Sequence, residues 1–148
     1  MLKRRRAIRL LARCPVRPRE ACVVSRRAKR RGPHRPLVTC GDTGDDAPAR
    51  AFLEPIFVAN KVTLVLQAHM HGYERFEFDN GITYITAAGG GGLLGEIDEN
   101  INQPYCDKRV AKAAAYHGVV FQVGTGSFSG KAIDESGAVL DTFSKNVP

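Results

Sequence analysis

Two histidines one residue apart, His69 and His71, stand inside the stretch "VTLVLQAHMHGYERF" that begins at Val62. Residues i and i+2 of an extended segment point the same way, so both imidazoles would project toward one place. A neutral imidazole offers a lone pair and is the commonest protein metal ligand. The pair is therefore a candidate for metal ligation, the alternative being two polar residues in a turn. Other patterns carry less chemistry. "GDTGD", beginning at Gly41, spells G-D-x-x-D but reads as a solvated loop ahead of a helix. "GGGGLLG" lacks the Lys-Ser/Thr of a phosphate-binding loop, and "GTGSFSG" places no serine in G-x-S-x-G. His117, between Tyr116 and Gly118, reads as a surface or packing residue. Cys14, Cys22, Cys40 and Cys106 form no C-x-x-C pair and no zinc-finger spacing, which leaves the redox compartment open.

The elements that must position the two histidines are readable around them. Val62 to Leu66 is apolar apart from Thr63, as expected of a strand buried on both faces of a layered α/β arrangement. In open α/β sheets ligands gather at the carboxyl ends of strands, where His69 and His71 would stand. Leu37 to Cys40 reads as another short strand and Ala49 to Asn60 as a helix. Asp45 or Asp46 would cap that helix, Pro48 suits its first turn, and Pro55 implies a kink or an earlier stop. "ERFEFDNGITYITAA" is a hairpin signal in which Asn80-Gly81 supplies a type I′ turn. Gly118 to Val123, Ser127 to Ile133 and Val139 to Phe143 are further strand candidates.

Charge divides the 148 residues into unlike pieces. Residues 1–36 carry fourteen Lys or Arg against the single acid Glu20, whereas residues 37–148 carry eight bases against fourteen acids. The first piece, 1–32, is expected to be a disordered basic extension, since its Arg clusters repel and it has few large apolar residues. It suits a nucleic-acid-binding arm over residues 1–31, an organelle transit peptide, or a solvated extension without a role. Leu10, Leu11 and Ala12 are flanked by Arg9 and Arg13, so no secretory h-region is present. No stretch approaches the roughly 20 apolar residues of a membrane span.

The histidine stretch also resembles the last signature block of the calcineurin-like metallophosphoesterases, an apolar strand followed by G-H-x-H. Its Tyr73-Glu74-Arg75 tail is most similar to the purple acid phosphatase branch. Upstream, "HRPLVTC" resembles the preceding His-x-Pro block; downstream, "GITYITAAGGGG" and "GAVLDTF" are similar to later strands of that branch. The resemblance implies that residues 33–148 are the C-terminal half of such a domain, half of a four-layered α/β/β/α sandwich. It implies His34 and His69 as ligands of one metal and His71 as a ligand of its neighbour, in a dinuclear centre of iron with zinc, manganese or a second iron. Such a pair would activate a hydroxide to attack a phosphate ester.

Two departures qualify that implication. Ala68 stands where the family has Gly. The D-x-H, G-D-x-x-D and G-N-H blocks, which would precede His34, are absent from this chain. Without their bridging carboxylate, at most one weak metal site and no catalytic residue is expected. The functional expectation is a fragment resembling a metal-dependent phosphoric ester hydrolase, inactive alone; the alternative is a basic-armed nucleic-acid-binding protein with an inert body. Uncovered strands of a half sandwich would favour self-association. The family branch is often secreted, but the compartment is not legible here.

Overall fold

In the computed structural model, the backbone of residues 20–24 and 30–147 is described, with side chains from His34 onward. Strands β1 (Glu20–Val24) and β2 (Arg30–Pro33) precede helix α1 (Ala47–Ala59). Then come β3 (Leu64–Gln67), β4 (Tyr73–Glu77), β5 (Thr83–Ala87), β6 (Arg109–Ala113), β7 (His117–Val123), β8 (Ser127–Asp134) and β9 (Val139–Asn146). The first sheet has the order β2-β1-β3-β5-β4-β6, and the second the order β7-β8-β9.

The sandwich expected from the sequence is corrected. The described residues form a mostly β arrangement of two sheets with one α-helix, not half of a four-layered α/β/β/α sandwich. The physical reason lies in the pairing. An α/β sheet needs parallel neighbours joined by helical crossovers, and here β3 with β5 is the one parallel pair among the described strands. Along β7 and β8 burial alternates with period two, and the chain spends its later length on antiparallel strands. Two stretches of the basic extension expected to be disordered, β1 and β2, are paired into the first sheet. The rest of that extension lies outside the described residues, as does most of the proposed nucleic-acid arm.

The core has two layers of contact. Leu64, Tyr73 and Ile85 on one face of the first sheet pack against Phe128, Ala132 and Phe143 of the second. On the opposite face, Val65, Phe76 and Tyr84 pack under Leu37, Val38 and Phe57 of α1. Strand β3 thus buries both faces, which accounts for its apolar run. Asp46 caps α1, its carboxylate accepting the Ala49 N–H at 3.0 Å, and the helix continues through Pro55 to Ala59.

Leu37 to Cys40 is not a strand. This buried segment lies across the first sheet, and its backbone is held by side chains. Gln67 Oε1 accepts the Leu37 N–H at 2.9 Å, and its amide nitrogen donates to Val38 O and to Thr86 Oγ1. Glu74 accepts from the Cys40 N–H at 2.9 Å and from the Thr39 hydroxyl at 2.6 Å. A disulfide, Cys40–Cys106, then ties the segment to the loop before β6.

The hairpin between β4 and β5 forms, but its turn is wider than a type I′. Gly81 alone takes a left-handed φ of 83°, while Asn80 does not, and Phe78 N–H donates to Ile82 O. That is the longer hairpin loop in which a single αL residue suffices.

Candidate metal site

The histidines sit where β3 hands over to β4. Because β5 lies between these two strands, residues 68–72 must step over the end of β5 to reach β4. The step is tight: Met70 N–H donates to Ala68 O, Gly72 N–H to Met70 O, and Ala88 N–H, just past β5, to Gly72 O. His69 takes a φ of 76° within it. A left-handed conformation is uncommon for a residue with a side chain and is found preferentially where the surrounding structure or a site demands it.

That conformation directs His69 toward His34. Their rings meet edge to face with centroids 4.8 Å apart, and Nδ1 of His69 lies 3.0 Å from Nε2 of His34. Two nitrogens about 2.0–2.1 Å from one metal ion at tetrahedral angles stand about 3.3–3.4 Å apart. The observed 3.0 Å is the spacing of a hydrogen bond with one ring donating, and the two rings would part by a few tenths of an ångström to share one ion. Burial pushes the His69 imidazole below its ordinary value, and the neighbouring His34, Arg35 and His71 push the same way, with Asp42 opposing. A neutral His69 is the ligating form.

His71 is near this pair but is not assembled with it. Its Nδ1 lies 2.8 Å from Leu93 O, and its ring packs on Gly92, where a Cβ would overlap it. Asp42, from the G-D-x-x-D lookalike, accepts the Glu96 N–H at 3.1 Å and also packs on Gly95. Among the described residues no group of three His, Cys, Asp or Glu is placed to hold a metal ion. The residues present fit a half-site of two imidazoles and do not fit a dinuclear centre, which needs a carboxylate shared between ions.

Tyr73, Glu74 and Arg75 pair structurally. Tyr73 donates to Asp141 at 2.7 Å, and Arg75 bonds both oxygens of Asp141 and one of Glu77. Glu74, fully buried, meets Arg109 at 2.9 Å; burial raises its pKa, against the hydrogen bonds from Thr39, Cys40 and Arg109. His117 bonds Ala115 O through Nδ1 and stacks edge-on against Tyr73, while its buried Nε2 has no partner in the described structure. The disulfide is the feature that sequence reasoning missed here, since cysteine spacing carries no sign of it.

Comparison with family models found no match, and neither did comparison with curated proteins. Among solved structures the chain is similar to one described as "GAP50 the anchor in the inner membrane complex of Plasmodium". The TM-score is 0.62 and the identity 18%, over 77% of this chain and 35% of that one. The likeness is one of fold. This chain spans about a third of that structure. The resemblance to the metallophosphoesterases is corrected on this ground: the neighbour is described as an anchor and not as a phosphoesterase, and no family model supports the assignment. No helix among the described residues is long and apolar enough to cross a membrane.

Proposed function

We propose that this chain presents a half-site for metal-dependent phosphoric ester chemistry: it binds one divalent transition-metal ion weakly and does not turn over a phosphate ester alone. The observation that carries this reading is the His34–His69 pair, with its 3.0 Å nitrogen separation at the end of a buried strand. His34 and His69 are the ligands, and His71 lies close enough to bias His69 electrostatically. Arg35, whose guanidinium donates to Thr43 O, adds a positive charge suited to a phosphate oxygen near the pair. No catalytic residue is assigned, since no carboxylate bridges toward a second ion.

The test is titration of the protein with Zn²⁺ and Mn²⁺ by calorimetry, alongside turnover of an aryl phosphate. One weak site per chain, lost in both His34→Ala and His69→Ala, with turnover indistinguishable from buffer, is the expected result. Two tightly bound ions per chain, or binding indifferent to both substitutions, would overturn it.

A second reading draws on the structural neighbour, which is an anchor. Here the body is a non-enzymatic scaffold, and the exposed apolar side of α1, with Phe52 71% exposed, is its contact surface. Under that reading substitution of the histidines alters stability alone, and Phe52→Ser alters partner capture. A nucleic-acid role for residues 1–31 predicts salt-sensitive RNA or DNA binding that disappears on their removal.

A further inference from the structure

Strand β7 has an open edge whose hydrogen-bonding groups can be assigned residue by residue. Outside the strand ladders, Glu135 N–H donates to Tyr116 O and Gly124 N–H to Ser127 O, at opposite ends of the β7–β8 pair. With the register Gly118↔Ile133, Val120↔Lys131 and Gln122↔Ser129, the even-numbered residues of β7 exchange bonds with β8. The odd-numbered residues therefore turn their N–H and C=O groups away from β8. His117 confirms the direction, its N–H reaching Gly89 O on that outer side. Beyond it, Val119, Phe121 and Val123 have no strand beside them among the described residues.

Nothing on this edge is built to repel another strand. "GVVFQV" carries no charge and no proline, and Val120 and Val123 are 59% and 62% exposed. Natural edges are blunted by Lys, Pro, bulges or covering loops. The other outer strands have such features: β2 carries Arg30, Arg31 and Pro33, β6 carries Arg109 and Lys112 and shows a register shift against β4, and β9 carries Lys145 and shows one against β8.

We propose that β7 is a pairing edge occupied by β7 of a second copy of this chain. Antiparallel pairing about a two-fold axis at Phe121 sets Val119 of each copy against Val123 of the other. Each of the three pairs then exchanges two bonds, about six in all. A neutral strand meets itself without like charges opposed, which selects a second copy over a charged partner strand. Two full chains, each of net charge +7, repel at long range, so the contact strengthens as salt screens them.

The test is sedimentation velocity of the full chain from about 1 to 100 µM, at about 50 and 500 mM salt. A reversible dimer that tightens with salt is expected. Val123→Pro removes an outward N–H without touching a bond to β8, and Val120→Lys adds a charge beside the edge; each is expected to weaken the dimer at least tenfold while circular dichroism stays unchanged. A monomer throughout the range would overturn the proposal. So would a dimer indifferent to both variants, or one that tightens as salt falls, the behaviour of a basic extension docking on an acidic body. The outcome is independent of metal binding, which the His34→Ala protein checks separately.

Discussion

Nε2 of His34 lies 3.0 Å from Nδ1 of His69, joining two side chains thirty-five residues apart through a backbone that takes a left-handed turn to do so. His69→Gly is therefore expected to fold more stably than His69→Ala by about 1 kcal/mol, because glycine adopts positive φ without cost to a Cβ. Both variants lose metal binding. Thermal unfolding of the two, run side by side, separates the backbone effect from the lost ring.

Gly92 leaves room for the His71 ring, and a methyl group there would overlap it. Gly92→Ala is expected to displace His71 from Leu93 O while leaving the His34–His69 pair in place. The histidine resonances in an NMR spectrum of the variant would show the His71 ring moved and those of His34, His69 and His117 unmoved.

Asp141 and Glu77 make the fold sensitive to acid. Burial raises both carboxyls, but bonds from Arg75 and Tyr73 to Asp141, and from Thr83, Lys145 and Arg75 to Glu77, outweigh it and hold both below the ordinary range. Groups depressed in the folded state contribute stability that is present above their unfolded values, roughly pH 4, and is lost as pH falls through the folded ones. Melting temperature should accordingly drop as pH is lowered from about 5 toward 2. Asp141→Asn should flatten that slope and, by leaving Arg75 short of its partner, cost about 3 kcal/mol at pH 7.

The Cys40–Cys106 bond closes a long loop, with a sequence separation of 66, and holds the segment that leads from His34 to α1. Replacing either cysteine by serine is expected to cost about 2–5 kcal/mol by denaturant unfolding. A dithiol reductant should reproduce the loss slowly, because Cys40 is buried and its sulfur is reached only when the core opens.

How far the sequence disclosed this molecule depends on whether the partner of each segment is local. β3, β7, β8 and β9 were legible because burial follows their own alternation or their own apolar run. Leu37 to Cys40 has the same apolar and β-branched look, yet its backbone partners are the side chains of Gln67 and Glu74, about thirty residues away. No local pattern encodes that. β6, "RVAKA", has no large aromatic or alternating apolar set, and its place beside β4 decides its form. His69 and His71 were legible as H-x-H at a strand end, but the meeting of His69 with His34, thirty-five residues away, was not legible from that spacing, and His71 is held apart on Gly92 and Leu93. The disulfide could not be read, since four cysteines admit three connectivities and their spacing favours none.

The step of residues 68–72 over the end of β5 has a kinetic consequence. β3 and β4 come first along the chain, and β3 also pairs with β1 and β4 with β6, but the two take their places relative to each other only when β5 enters between them. β5 pairs with β4 as a local hairpin, whereas its pairing with β3 closes a longer loop, whose entropy is lost before contacts repay it. The turn that carries His69 and His71 is fastened to Ala88 only once β5 has arrived. Its imidazoles therefore come into register late, and metal capture would serve as a clock for the last stage of folding.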